Sequence, residues 1–456
     1  MTGGTIPFTA VDESADLLER RGEPNLILLE LRLAGRLDAD RLRAAVGDAL
    51  RALPMARARR ASGGPWRRRS SWEIPGGPDL DPLTVAPAGA VPDTERRRMM
   101  DTPVPLSTSP TLRLRLLPSP GTPGPGADAS GTGGHAADGG DRLLIAAHHA
   151  LFDAISCLGF LTSVSHAYNG TQDPVAVPDE TRTPESPAAP DAAHAPHAEL
   201  FPRAVRVARA AAPGDGGYGC VLTEFDADRT AALAAAARRR AATVNDLLIT
   251  ALALTVTRWN AAHRRPSTPV RITMPINARA ADRRFDGIRN HSRLTSISSA
   301  AGEPAELLAS VADQTRRAKR TAAPAGGPAA QVLGSPALPR GLRRTLVGPV
   351  RAAARLLADT TMLSNLGRLP DPPAFDGAGN TTGLWLAAPA PMPRGLSVSA
   401  LTVFGRLHLA VRHRYAVLGA PAAAAFTAAF TEALDELAAL PASSHLSAHA
   451  TEGRSQ

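Results

Sequence analysis

The order of apolar and polar positions divides the chain into alternating strand and helix signals. Residues 24–36, PNLILLELRLAGR, are dense in Leu and Ile with partial alternation and predict a strand. Leu37, Leu42, Val46, Leu50 and Leu53 then recur at helical spacing, with Asp38 placed to cap the start and Pro54 to stop the run. Residues 55–105 hold basic, Gly- and Pro-rich pieces around Trp66 and Trp72 and read as short strands and turns. In TLRLRLLP, 111–118, Leu112, Leu114 and Leu116 alternate with Arg113 and Arg115, the signature of a strand. RLLIAAHH, ending at His149, is an apolar run suited to a buried strand. After it, Ile155, Leu158, Leu161, Val164 and Tyr168 fall at helical spacing.

The second half is a rough echo of the first. CVLTEFD predicts a strand, ADRTAALAAAARRR a helix, and ATVNDLLITALALTVTRWNAAH a longer helix capped near Thr243 or Asn245. VRITMPINAR predicts a strand that gives way to a charged loop, RAADRRFDGIRN. A helix carrying Leu307, Leu308, Val311 and Gln314 follows, and then a Pro/Gly-rich basic segment over 323–350. DTTMLSNLG, LSVSALTVFG and RLHLAVRHRY predict strands, and PAAAAFTAAFTEALDELAAL a closing amphipathic helix. Strands and helices mixed in both halves argue for an α/β fold and against a helical bundle or a β-sandwich.

Composition refines this picture. At 456 residues the chain exceeds one ordinary core, so two domains are expected. Residues 118–141 are low-complexity and read as a disordered surface loop, while 170–201 are rich in Pro, Ala and Asp. We therefore expect a first half at 1–175, a linker at 176–203, a second half at 204–440 and a frayed tail at 441–456. Cys157 and Cys220 cannot form a disulfide framework, which points to a reducing, cytoplasmic setting. No signal peptide or transmembrane segment is expected.

The net charge of +9 is carried almost wholly by arginine, Lys319 being the only lysine. Aromatic content is 4% and no nucleic-acid module is visible, so nucleic acid is not an expected partner. A basic face suits an anionic carrier such as a phosphopantetheine arm or coenzyme A. Runs such as Arg67–Arg69 read first as solvated faces. No G-x-S-x-G elbow, Walker A loop or strand-linked G-x-G-x-x-G occurs, which leaves serine hydrolase, NTPase and dinucleotide readings without support.

The segment with chemical content is HHALFDA, His148 to Ala154. Two histidines close an apolar strand, and alternation sends them to opposite faces, so one of them can enter a shared cavity. An imidazole titrates near neutrality and can take a proton from an attacking hydroxyl, amine or thiol. The competing readings are two buried histidines that end a strand, or a metal ligand. A metal site lacks a third ligand at recognisable spacing. Asn245 and Asp246 read more simply as helix capping than as substrate contacts, and Cys157 as a buried structural thiol.

HHALFDA resembles the HHxxxDG motif of the condensation-domain superfamily. That group includes nonribosomal-peptide condensation domains, bacterial wax ester synthase/diacylglycerol acyltransferases and polyketide-associated acyltransferases. ATVNDLLITALALTVTRW, MPINARAADRRFDGIRN and TMLSNLGRLP resemble further family segments in the family order, over roughly residues 5–438. The resemblance implies two chloramphenicol-acetyltransferase-like domains in a V-shaped pseudo-dimer around a central tunnel. It implies His149 as general base or as the group that positions the nucleophile, His148 in a structural role beside it, and Asp153 in an ion pair that holds the motif turn, with Arg279 as candidate partner. Ser364 and Asn365 become candidates for the tunnel wall and the oxyanion.

The implied reaction moves an acyl group from a carrier-protein or coenzyme A thioester to a small alcohol or amine, without a cofactor of its own. An acyl or peptidyl carrier protein would act in trans. The sequence departs from the motif at Ala154, where the family has Gly, and lacks the DFGWG of plant acyltransferases, TVFGRL at 402–407 being a remnant at best. The alternatives that stay open are a lipid acyltransferase and a non-catalytic, carrier-binding homologue.

Overall fold

A computed structural model describes residues 5–20, 22–64, 66–120, 139–171, 203–211, 216–277, 279, 287–320 and 332–441. The first half runs β1 (Thr5–Pro7), α1 (Ala10–Leu18), β2 (Leu26–Leu33), α2 (Ala39–Ala52), β3 (Arg59–Arg60) and β4 (Ser71–Glu73). It continues with β5 (Leu83–Val85), α3 (Pro92–Asp101), β6 (Leu112–Leu117), β7 (Arg142–His148) and α4 (Ala154–Asn169). The second half contains β8 (Tyr218–Phe225), α5 (Ala227–Arg239), α6 (Val244–Ala262), β9 (Val270–Asn277), β10 (Ser292–Ser299) and α7 (Pro304–Arg320). A helix at Arg340–Leu357 precedes β11 (Thr361–Leu369), β12 (Thr381–Ala387), β13 (Leu396–Val403) and β14 (Arg406–Arg414), and a helix at Ala420–Ala439 closes the fold.

The strands form two large mixed sheets, ordered β12-β2-β7-β6-β5 and β10-β9-β11-β13-β14-β8, and a small one, β1-β4-β3. The leucine-rich run of β2 is buried along nearly its whole length because both faces of its sheet are covered. Ile27, Leu29 and Leu31, with Leu143, Ile145 and Ala147 of β7, enter a core shared with α2 and α4. Leu26 and Leu28, with Leu144 and Ala146, enter a second cluster that also takes Tyr218, Trp385 and Ala410 from the other half. A strand buried on both sides loses the polar alternation of a half-exposed one, which explains the partial pattern of 24–36.

Local signals place the helix starts. Asp38 caps α2 by accepting from Arg41 N at 2.8 Å. Thr243 and Asp246 form a reciprocal capping box on α6, so this pair holds the helix end and Asn245 is not the cap. Asn245 instead points its amide at Met274 Sδ, 3.1 Å away.

Several elements depart from the sequence reading. Within 55–105 the turns and strands are joined by a true helix, α3, whose Arg96 reaches buried Glu30 at 2.7 Å. The basic segment 323–350 is helical from Arg340 onward, although Pro349 lies inside the helix. Its inner face is fixed by tertiary contact: Val347 packs with Leu17 and Leu333, and Arg343 is wholly buried. Helix α1 and strands β10 and β12 also had no prediction.

β12 matters most for the architecture, because it lies beyond residue 204 yet pairs antiparallel with β2, Trp385 opposite Glu30. The first sheet is thus completed by the second half of the chain. Most of 118–141, all but the end of the linker 176–203, and nearly all of the tail 441–456 lie outside the described residues.

Candidate active site

β7 ends at His148, held between β2 and the residue before β6: His148 N donates to Thr111 O at 2.9 Å, and His149 N to Asn25 O at 2.8 Å. The chain then turns, with Leu151 N and Phe152 N both donating to His148 O, and enters α4 at Asp153. The two rings receive opposite tautomers from their neighbours. Ala150 N donates to His148 Nδ1 at 3.1 Å, so the His148 proton sits on Nε2, which reaches Glu19 Oε2 at 3.1 Å. His148 is completely buried.

His149 is arranged the other way. Its Nδ1 lies 2.7 Å from Phe152 O, a carbonyl that can only accept, so Nδ1 carries the proton. Nε2 is left with an available lone pair and has no hydrogen-bond partner among the described residues. Burial pushes the His149 pKa below its ordinary value, the neighbouring His148 adds to this, and the Phe152 carbonyl and Asp153 charge only partly oppose it. The imidazole is therefore neutral at physiological pH, the state a base requires. His149 as a residue keeps part of its surface open while His148 does not.

Asp153 caps α4 through Ser156 N at 2.8 Å and also accepts from His291 N at 2.9 Å. Arg279 grips the same carboxylate with two bonds, Nη1 to Oδ2 at 2.6 Å and Nη2 to Oδ1 at 3.1 Å. Burial by itself would raise the Asp153 pKa, but the guanidinium and the two backbone N–H groups outweigh it and hold the carboxyl below the usual range. Arg279 Nη2 donates further to Ser156 Oγ at 2.9 Å and Arg289 O at 2.7 Å. Asn290 Nδ2 donates to His149 O at 2.8 Å. The histidine turn is thereby tied to the segment between β9 and β10 of the other half.

His148, His149, Asp153 and Arg279 thus meet in one cluster. Ser364 and Asn365 do not join it by any hydrogen bond among the described residues. Asn365 Oδ1 accepts from Gly367 N at 2.9 Å within β11, and its amide nitrogen makes no hydrogen bond among the described residues. Ala154 is the first residue of α4 and is not among the residues with positive φ, so alanine meets no backbone strain there. Burial raises the Cys157 thiol pKa well above its ordinary value, which makes it an inert core residue.

Three contacts were not foreseen: Glu19, His291 and Ser156. Glu19 follows α1 and has no motif around it, whereas Asn290 was within reach through the GIRN turn.

A relative from Mycobacterium tuberculosis strain H37Rv, Uncharacterized protein Rv2305, is 30% identical over 459 residues, which span 94% of this chain and 99% of the relative. The chain belongs to the family of Rv2305. The counterpart from strain CDC 1551, Uncharacterized protein MT2362, matches over the same length with the same identity. No family model matches the sequence.

Among solved structures, the first condensation domain of the calcium-dependent antibiotic synthetase has a TM-score of 0.65 at 16% identity, covering 96% of this chain and 98% of that one. The condensation domain of the monacolin K polyketide synthase MokA gives 0.63 at 14% identity, with 97% and 99% covered. An epimerization domain of tyrocidine synthetase B gives 0.61 at 16% identity, with 96% and 97% covered. This member of the Rv2305 family has the condensation-domain fold over nearly its whole described length. Among the described residues no helix is long and apolar enough to cross a membrane.

Proposed function

We propose that this chain is an acyltransferase that moves an acyl group from a carrier-protein or coenzyme A thioester to a small alcohol or amine, with His149 as its base. The observation that carries the reading is the fixed tautomer of His149: Nδ1–H is committed to Phe152 O and Nε2 is left to accept. As the acceptor's oxygen or nitrogen attacks the thioester carbon, Nε2 takes its proton and a tetrahedral oxyanion forms. When the C–S bond breaks, the proton passes from Nε2 to the departing thiolate, and the imidazole returns neutral. The Phe152 carbonyl stabilises the transient imidazolium through Nδ1–H, the orienting role that a third group plays for a catalytic histidine.

His148 and Asp153 position this base without touching the reacting atoms. Asp153 and Arg279 hold the turn, and His148 anchors the strand end through Glu19. The amide of Asn365, with Ser364 beside it, supplies candidate donors to the oxyanion. In this reading the halves 1–175 and 204–440 bring donor and acceptor together along their shared interface. Carrier-borne acyl groups arrive in trans, as in a free-standing condensation enzyme of natural-product biosynthesis.

The test is acceptor-dependent thioester release over a panel of acyl-carrier and acyl-coenzyme A donors with amine and alcohol acceptors, using wild type and His149→Ala. Release abolished in a folded variant supports the reading. Release at the wild-type rate in His149→Ala overturns the role of Nε2.

A further inference from the structure

A polar cavity lies away from the histidine turn, between the β3–β4 hairpin and the start of the helix Arg340–Leu357. Its volume is about 150 Å3, and its walls include Arg60, Arg67, Arg340, Ser62, Ser70 and Ser107. Two of the guanidinium groups are held side by side by one carboxylate: Arg60 Nη1 meets Asp16 Oδ1 at 2.6 Å, and Arg340 Nη2 meets Asp16 Oδ2 at 2.6 Å. Arg67 brings a third positive charge and makes no ion pair or hydrogen bond through its side chain among the described residues. Three cations against one anion leave two positive charges at the cavity.

The support beneath is neutral and rigid. Buried Glu13 pairs with buried Arg343 at 3.3 Å and accepts from Ser70 N at 2.5 Å. Arg343 Nη2 donates to Arg68 O at 2.5 Å, and Arg340 N to Arg67 O at 2.8 Å, which fixes the 67–70 turn on the helix. Gly63 allows Arg67 to fold back along the hairpin, since a Cβ there would stand 2.7 Å from Arg67 Cδ.

Two donors at this place lack partners. Ser70 is 6% exposed, lines the cavity, and has an Oγ without a hydrogen bond, and Arg340 Nε is buried and equally unpaired. Buried polar groups are nearly always paired, so orphaned donors beside surplus positive charge call for an acceptor-rich anion. Guanidinium forks and a hydroxyl form the donor set that matches the tetrahedral oxygens of phosphate.

We infer that Arg60, Arg67, Arg340 and Ser70 form a binding site for a phosphate group. The phosphate comes either as the free ion or as part of a larger molecule such as coenzyme A. The inference stands apart from the role of His149 and does not depend on it.

The experiment is isothermal titration calorimetry of the full chain at low salt, first with inorganic phosphate and then with coenzyme A. Saturable binding of one phosphate per chain is expected. Arg67→Ala should weaken it about ten-fold, as expected for the loss of one charge-assisted contact. Ser70→Ala, which removes an unpaired hydroxyl and so leaves the fold undisturbed, should weaken it by a smaller factor. Arg69→Ala, an exposed arginine outside the cavity wall, should leave it unchanged, and so should His149→Ala.

Displacement of phosphate by coenzyme A, with the same Arg67 dependence, identifies an organic phosphate as the occupant. Phosphate binding that coenzyme A does not disturb identifies the free ion. Absence of saturable binding by either probe overturns the site. Equal losses in Arg67→Ala and Arg69→Ala overturn it too, because they would reduce the effect to general surface charge.

Discussion

Replacing Arg279 by methionine is the most informative perturbation of the histidine turn. The side chains of Arg279 and Asp153 are only 3% and 4% exposed and meet at 2.6 Å. Removing one partner of such a pair strands the other charge in a buried site, at a cost of about 3–5 kcal/mol. Ser156 Oγ and Arg289 O lose a donor as well. Asp153 keeps its bonds from Ser156 N and His291 N, which places the expected loss toward the lower end of that range.

Urea unfolding of wild type, Arg279→Met, Asp153→Asn and the double variant measures this directly. The double variant should be less destabilised than the sum of the singles, with a coupling of about 1–3 kcal/mol. The deficit should also depend on pH, and its sign is determined. In the wild type the Asp153 pKa is depressed, so the stability it contributes is present above the unfolded carboxylate pKa and is lost as pH falls toward the folded one. Without the guanidinium only the Ser156 and His291 N–H groups oppose burial, so the folded pKa rises and the variant loses less stability than the wild type as Asp153 takes up a proton. The gap between wild type and Arg279→Met should therefore narrow from pH 7 to pH 4. Additive effects within about 0.5 kcal/mol, or a gap that does not change with pH, would refute the reasoning.

Other expectations follow from the same geometry. His149→Ala should lower acyl-transfer turnover by about 10²–10⁴-fold and cost about 1 kcal/mol in urea unfolding, because the Nδ1–H bond to Phe152 O is lost with the ring. Ala154→Gly, which restores the family motif, should not raise turnover and should cost up to about 1 kcal/mol in thermal unfolding, since the position is helical and glycine only adds freedom to the unfolded chain. Burial lowers the pKa of His291 and of His413 to about 4. The unfolded chain takes up protons first, so the contribution of these groups is full above about pH 6.5 and is lost between there and pH 4. A melting-temperature profile should fall across that window, and His413→Gln should flatten part of it.

How much was readable without coordinates depended on where each signal resides. The strand and helix that carry HHALFDA were legible because apolar spacing, the Asp153 position and the low-complexity flanks are local properties of the chain. The helix cap at Asp38 was legible for the same reason, as one side chain and one backbone N–H three residues on suffice, and at α6 the sequence narrowed the cap to Thr243 or Asn245. The helix Arg340–Leu357 was not, because its inward face is set by a buried Arg343–Glu13 pair separated by 330 residues. Neither was β12, whose Trp385 stands opposite Glu30 of β2 across some 355 residues of chain, a pairing that only a folded sheet edge can select.

The sequence by itself determined that this is a mixed α/β chain with two histidines closing a buried strand and an acid placed to start the next helix. Tertiary structure alone decided which histidine became available. Phe152 O and Ala150 N assign the two protons to opposite nitrogens, and Glu19, brought from the end of α1, engages His148. Tautomers depend on which donors and acceptors surround a ring in space, and those groups come from the turn and from distant segments. The same holds for Arg279: as one arginine among many in the sequence, it acquires its place only when the end of β9 is folded against the start of α4.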